Sequence, residues 1–262
     1  SKILDMDANQ LGQLLEKESD DEVGRLVDNF NSMSLRLKDS FDKQQKFVQD
    51  ASHELKTPLT IIQTSLDTTL EDSSATKVEL REAMMDALKG VKRLKTLTNG
   101  LLQITTPIKL SQKINIIKLV KKQLDLLREY SSRNKVKLKL NIGNDNKDLL
   151  VKGNSDSLGR AIYNIIENGI KFSANAIDSY VTISITFDKD FVYISIKDNG
   201  EKIPEELKDK IFDRFFRVKK SSEGNGLGLS ISFEIIMIHS GDLTLKNNPK
   251  ETEFEIKLPI MK

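Results

Sequence analysis

Three separated groups of residues in this chain have the types and spacing that chemistry requires. His53 begins a His-Glu pair, and Thr57 follows it by one helical turn. Amide, carboxylate and ammonium side chains occupy residues 164–171, and glycine-containing segments follow at 198–200 and 224–228. An imidazole can act as a nucleophile, whereas the other groups suit magnesium and phosphate. The elements around these groups must bring them into position.

His53 falls on the outward side of its predicted helix. With Leu55 at heptad position a and Ala51 at d, His53 takes position f, which faces away from the packed seam. An exposed imidazole is largely neutral at cellular pH and can act as a nucleophile without an elaborate base. Glu54 can accept or orient its ring proton. An incidental surface histidine is the alternative, but it leaves the His-Glu pair and Thr57 on the same face unexplained.

The second group is a polar stripe on one helix. Asn164, Glu167, Asn168 and Lys171 lie at positions i, i+3, i+4 and i+7. Four isoleucines flank the stripe and predict that the opposite side of the helix is buried: Ile162, Ile165, Ile166 and Ile170. A solvated polar stripe is the alternative. The flanking isoleucines favour a polar side that faces a pocket, where oxygens suit Mg²⁺ and the lysine suits phosphate.

The third group contains the glycines. Asp198-Asn199-Gly200 ends a predicted strand, and a simple turn is its alternative interpretation. Gly224, Gly226 and Gly228 let backbone N–H groups approach phosphate oxygens, and a helix follows with its positive N-terminus. The chain has no Walker A sequence, so P-loop chemistry is not indicated.

Two heptad-patterned helices are predicted at 41–71 and 77–105, with a turn at 71–76. Pro107 ends the second helix. A short connection makes an antiparallel hairpin. One hairpin cannot bury both of its apolar stripes, so two copies are predicted to form a dimeric four-helix bundle.

The remainder of the chain changes in character. Alternation of apolar and polar residues predicts strands at 136–140, 181–187, 191–197 and 254–258. Helices are predicted at 116–130, 156–172, 205–212 and 227–239. Strands with one solvated face and segregated helices indicate a two-layer α/β sandwich. The fold class is therefore α+β, with the helical hairpin preceding the sandwich.

Composition excludes several classes of site. The 41 basic and 39 acidic residues give a net charge of +2, which favours neither nucleic acid nor an anionic membrane surface as a partner. With no cysteine, disulfides and thiolate metal sites are excluded. No apolar run approaches the roughly 18 residues of a membrane span, so we expect the chain as given to be soluble.

Together the motifs resemble the transmitter region of a sensor histidine kinase of a two-component system. The resemblance covers nearly the whole chain and predicts three domains. Residues 1–40 look like part of a HAMP signalling linker, 41–110 like the dimerisation and phosphotransfer domain, and 111–262 like the ATP-binding catalytic domain. It also predicts that the native protein continues N-terminally, through a membrane helix absent from this chain. The chain would then be the cytoplasmic portion of an inner or plasma membrane protein.

The resemblance also implies roles for the residues near the histidine. His53 would be the phospho-acceptor, Glu54 its general base, and Thr57 the residue that positions water for a phosphatase step. The implied partners are a second copy of the chain and the receiver domain of a response regulator.

ATP and Mg²⁺ are the implied cofactors. Asn168 would ligate Mg²⁺, and Asp198 would accept a hydrogen bond from the adenine amino group, with Gly200 beside the base. Phosphate contacts are implied for Asn164, Lys171 and, in the lid after the F box, Arg217. The other implied nucleotide-binding residues are Phe172, Gly224, Gly226, Leu227, Gly228 and Thr252.

Two departures from the family pattern leave alternatives open. Lys202 stands where the family usually has glycine, and the third glycine cluster is reduced to Thr252. One alternative is therefore a catalytically weak nucleotide-binding sensor or scaffold dimer. Another is an ATPase of the gyrase and heat-shock chaperone superfamily without histidine transfer, which the block around His53 disfavours. The stimulus, the identity of the regulator, and transfer within or between protomers stay open.

Overall fold

The structure is a computed structural model that describes residues 14–17, 20–71, 74–105, 107–143, 148–218, 225–247 and 251–261. It divides into two compact units, residues 1–90 and 91–262. The predicted α+β class, with a helical hairpin preceding an α/β domain, is confirmed.

The first unit is dominated by the helix α1 (Glu22–Glu71), which is 50 residues long. The Asp21 carboxylate caps its start by accepting hydrogen bonds from the N–H groups of Val23 and Gly24, at 3.0 and 3.1 Å. The boundary predicted at residue 40 falls inside this continuous helix, which also runs through Pro58. The predicted linker lies partly outside the described residues, at 1–13 and 18–19.

The second helix, α2 (Lys77–Thr105), begins with a capping box. Thr76 N–H donates to the Glu79 carboxylate at 2.7 Å, and Glu79 N–H donates to the Thr76 hydroxyl at 3.3 Å. Close approach of the two helices needs Gly90, because a Cβ there would lie 2.5 Å from a side-chain carbon of Ile62. Within the first unit the helices therefore form the predicted antiparallel hairpin.

The second unit contains two sheets. The larger has the strand order β2-β4-β5-β7-β6, in which only the β2–β4 pair is parallel. Its strands are β2 (Lys137–Ile142), β4 (Tyr180–Phe187), β5 (Phe191–Asp198), β6 (Asp242–Asn247) and β7 (Thr252–Pro259). A small antiparallel ribbon pairs β1 (Gln112–Asn115) with β3 (Leu150–Gly153). All four predicted strands are present, whereas β1, β3 and β6 were not predicted.

Three helices, α3 (Ile116–Arg133), α4 (Ser155–Ser173) and α5 (Gly228–Ile238), pack against one another and the larger sheet. The helix predicted at 205–212 is wrong, because this segment forms two 3₁₀ turns at Glu205–Leu207 and Lys210–Phe212. Over the described part of the chain, no helix combines the length and apolarity that crossing a membrane requires.

Candidate active site

One cavity in the second unit, with a volume of about 1160 Å³, collects most of the residues predicted to bind nucleotide. Those that line it are Asn164, Asn168, Lys171, Phe172, Asp198, Arg217, Gly226, Leu227, Gly228 and Thr252. Gly200 is not a lining residue but bonds to one of them, and Gly224 lies outside the described residues. The polar stripe, the strand-end aspartate and the glycine segment thus come together although up to 88 residues separate them in sequence.

Helix α4 presents its polar stripe to this cavity because its other side is core. Asn154 caps the helix by accepting from the Ser157 N–H at 3.0 Å. The four isoleucines are fully buried, as the flanking pattern predicted: Ile162, Ile165, Ile166 and Ile170. The Asn164 amide donates weakly to the Gly228 carbonyl at 3.4 Å, which connects the stripe to the start of α5.

Asp198 is the most perturbed carboxyl of the site. Its side chain is 4% exposed and accepts a hydrogen bond from the Gly200 N–H at 2.9 Å. Burial is the largest cause that raises its pKa to about 7; Glu251 raises the pKa further, and the Gly200 N–H opposes the change. Gly200 cannot be replaced without strain, because a Cβ would lie 2.5 Å from the Phe172 carbonyl oxygen.

Thr252 lies directly across from Asp198 in the β5–β7 register. Its buried hydroxyl oxygen has no hydrogen-bond partner within the described residues. A buried orphan hydroxyl is costly in an empty site but suits one that a polar ligand completes. Together the two residues offer an acceptor and a hydroxyl at one end of the cavity.

Glu167 and Tyr163 form a second perturbed pair. Burial raises the pKa of Glu167, while its hydrogen bond with Tyr163 and the charge of Lys171 oppose the change. Both Glu167 and Tyr163 line the cavity. Tyr163 was not predicted; its position four residues before Glu167, on the same helical face, was the available signal.

The glycine segment is held by backbone geometry. Gly226 has φ +70°, and its carbonyl accepts from the Phe215 N–H at 2.9 Å. A Cβ on Gly226 would lie 2.6 Å from the Phe215 backbone. Leu227 N–H donates to the Asn225 side chain at 3.1 Å, which turns the chain into α5. This segment therefore needs glycine at 226 for steric reasons.

The end of α2 contributes residues that were not predicted for this cavity. Thr96, Asn99 and Gly100 line it. The Leu227 Cδ1 lies 3.0 Å from where a Cβ would stand on Gly100, and Leu97 is fully buried. In sequence these residues belong to a heptad helix, and Gly100 within that helix was the only local sign of close packing.

His53 lies in the first unit, exposed on α1 as the heptad predicted. Thr57 is also exposed, and its hydroxyl donates to the His53 carbonyl at 3.1 Å. His53 and Thr57 line a shallow groove of about 600 Å³, together with Lys56, Thr60, Ile61, Thr64 and Ser65. The hydroxyl proton of Thr57 is therefore engaged, and its oxygen can still accept.

Comparison with known proteins agrees with this division of the chain. Residues 43–107 match the His Kinase A (phospho-acceptor) domain, and residues 153–262 match the histidine kinase-, DNA gyrase B-, and HSP90-like ATPase family. The sensor histidine kinase YkoH of Bacillus subtilis is 34% identical over 244 residues, which cover 90% of this chain and 52% of that protein. The chain belongs to the sensor histidine kinases.

Other histidine kinase relatives are of similar distance. The heme sensor protein HssS of Staphylococcus haemolyticus is 31% identical over 247 residues, 91% of this chain and 52% of that protein. The chain thus spans about half the length of the curated relatives it matches. The solved histidine kinase ThkA in complex with response regulator protein TrrA shares the fold, with a TM-score of 0.70 at 22% identity over 86% of this chain and 64% of that chain.

The second histidine of this histidine kinase is structural. His239 caps α5, as predicted, and its side chain is buried. Its Nε2 accepts from the Asn154 N–H at 3.0 Å, so its Nδ1 carries the proton and donates to the Ile235 carbonyl at 2.7 Å. Burial lowers the pKa of His239, which keeps the ring neutral. His53 is therefore the exposed histidine of the chain.

Proposed function

We propose that the chain is an ATP-dependent protein-histidine kinase that phosphorylates itself on His53. The observation that supports this most directly is the cavity of the second unit, where amide, lysine and glycine groups meet a buried aspartate and an orphan hydroxyl. The exposed His53 within the phospho-acceptor domain supplies the nucleophile.

In the proposed step, a ring nitrogen of His53 forms a bond to the γ-phosphorus of ATP. The bond from that phosphorus to the β,γ-bridging oxygen breaks, and ADP leaves with the electron pair. Glu54, the neighbouring carboxylate, takes the imidazole proton. The rate enhancement comes mainly from positioning and from neutralisation of charge.

Nucleotide recognition follows from the cavity. The Asp198 carboxylate would accept from the adenine amino group, while the Thr252 hydroxyl completes its hydrogen bonding at the same end. Lys171 and Arg217 would bind phosphate oxygens. The remaining proposed contacts are Asn164, Phe172, Gly200, Gly224, Gly226, Leu227 and Gly228.

Magnesium would neutralise charge on the phosphates when it is bound. Asn168, which lines the cavity, offers its amide oxygen as a ligand. Among the described residues there is no cluster of three or more His, Asp or Glu that could hold a metal by itself. Such a site fits Mg²⁺, which commonly takes one or two protein oxygens and completes its shell with phosphates and water.

The proposed assembly is a homodimer. Large apolar residues of the heptad rows stay exposed in the single chain, including Phe41 at 50%, Val48 at 57% and Met84 at 66%. A second hairpin would cover them. The phosphoryl group would then pass to an aspartate of a response-regulator receiver domain, with which ThkA has been solved in complex. We place this chain on the cytoplasmic side of a membrane-anchored sensor.

Incubation with γ-labelled ATP tests the kinase. The chain has two histidines, so His53→Gln should abolish acid-labile label, while His239→Gln, checked for nucleotide binding, should retain it. Label that survives in His53→Gln would overturn the assignment. Nucleotide binding without any label in the unaltered chain would instead favour a weak sensor or scaffold, which the departure at Lys202 already suggests.

A further inference from the structure

The charge of this chain is concentrated in one segment. Residues 109–139 carry ten basic and two acidic residues, a net charge of +8 in a chain whose total is +2. Residues 140–262 carry 17 basic and 19 acidic residues, so the rest of the second unit offers no comparable excess. The segment covers β1, α3 and most of β2.

Within this segment, two arginines of α3 are held by the only two acids. Arg128 pairs with Asp125 at 3.1 Å, and Arg133 pairs with Glu129. The exposed lysines differ. Across the described residues, no ion pair is formed by four of them, which we call the basic edge: Lys113, Lys118, Lys121 and Lys152.

The basic edge is arranged at a cost to the fold. Lys113 and Lys152 are direct partners in the β1–β3 register, and like charges in such positions destabilise a strand pair. Lys118 lies in the first turn of α3, which has no acidic residue there, so the helix dipole opposes its charge. Local arrangements that oppose folding are expected where a surface serves a ligand. An external anion would turn both costs into attraction.

We propose that the basic edge binds the anionic headgroup surface of a lipid bilayer. The lysines lie on an exposed ribbon and on an exposed helix face rather than in a groove. Their hydrated point charges suit attraction to a headgroup layer without fixed geometry. Exposed positions of β1, β3 and α3 offer no aromatic side chain for base stacking, which disfavours single-stranded nucleic acid. The choice of a bilayer rests on the proposed function, which places the chain beside a membrane.

The test is co-sedimentation of the full chain with vesicles. Binding is expected to vesicles of equal parts phosphatidylglycerol and phosphatidylcholine, to fall steeply with added salt, and to be absent for phosphatidylcholine alone. Changing the four basic-edge lysines to glutamine should weaken binding at least about tenfold. The matched control changes four exposed lysines outside the segment and the cavity to glutamine: Lys77, Lys95, Lys189 and Lys210.

Equal losses in the two variants would overturn the proposal, because the effect would then follow total charge. Tighter binding to duplex DNA than to the anionic vesicles, at equal phosphate concentration, would also overturn it. If the fourfold variant does not fold, Lys118→Gln with Lys121→Gln gives the same comparison against two control lysines. Label on His53 is measured without vesicles, so failure of the lipid proposal leaves the kinase assignment standing, and loss of label leaves the binding result interpretable.

Discussion

The buried Asp198 leads to a specific dependence of nucleotide affinity on pH. Its pKa is raised to about 7, chiefly by burial, so the carboxyl is partly protonated at neutral pH. Only the ionised form accepts the adenine amino group through either oxygen. The ionised fraction is about ten elevenths at pH 8 and about one eleventh at pH 6, and apparent affinity scales with the competent fraction. We therefore expect ATP affinity to fall about tenfold between these values, or about 1.4 kcal/mol.

The measurement is a titration with a fluorescent ATP analogue from pH 6 to pH 8, with Mg²⁺ saturating. The phosphates of the nucleotide titrate in the same range, so Asp198→Asn is measured in parallel. Because the phosphates behave identically with both proteins, the difference between the two pH profiles isolates the aspartate. The Asn variant is expected to bind more weakly at pH 8 and to lose the additional fall towards pH 6.

A second variant checks the cause of the shift. Glu251 raises the pKa of Asp198 through its charge and accepts a hydrogen bond from the Tyr180 hydroxyl at 2.6 Å. Glu251→Gln keeps an acceptor for Tyr180 but removes the charge, so the midpoint of the pH profile should move to lower pH. Affinity that is unchanged or higher at pH 6 in the unaltered chain would refute a carboxylate acceptor and indicate a protonated Asp198 that donates to the base.

Three further predictions concern the rest of the chain. Because the pKa of His239 is lowered, its neutral form contributes stability above about pH 6.5 that is lost as pH falls through the lower folded value; thermal unfolding against pH should show this loss, and His239→Gln, which cannot be protonated, should not. Gly100→Ala should weaken nucleotide binding a fewfold while raising helix stability by up to about 1 kcal/mol, since the added methyl meets Leu227 at 3.0 Å; unchanged affinity in the titration would show that Leu227 moves aside freely. Thr57→Ala should keep autophosphorylation within a fewfold and lose phosphatase activity towards the phosphorylated regulator, because the hydroxyl oxygen can still accept from water; an unchanged ratio of the two rates would leave Thr57 with only its bond to the helix backbone.

The sequence by itself determined the parts of this protein that depend on local periodicity. The heptads predicted the hairpin and the exposed position of His53, because a period of 3.5 residues fixes which side of a helix is packed. Alternation predicted the longer strands, such as β4 and β5. The isoleucines around Asn164 and Asn168 similarly predicted which face of α4 is buried. The order of these motifs then carried the resemblance to the histidine kinases.

Tertiary structure alone decided what depends on residues distant in sequence. The ribbon strands β1 and β3 have four residues each, too few for a visible alternation, and they exist through pairing with one another. Segment 205–212 has too little sequence to hold a helix and is set by its surroundings as 3₁₀ turns. The contribution of Gly100 to the cavity and the bond from Asn154 to His239, 85 residues away, are contacts that no local pattern contains. The raised pKa of Asp198 arises in the same way, because desolvation is a property of the folded environment and not of the residue.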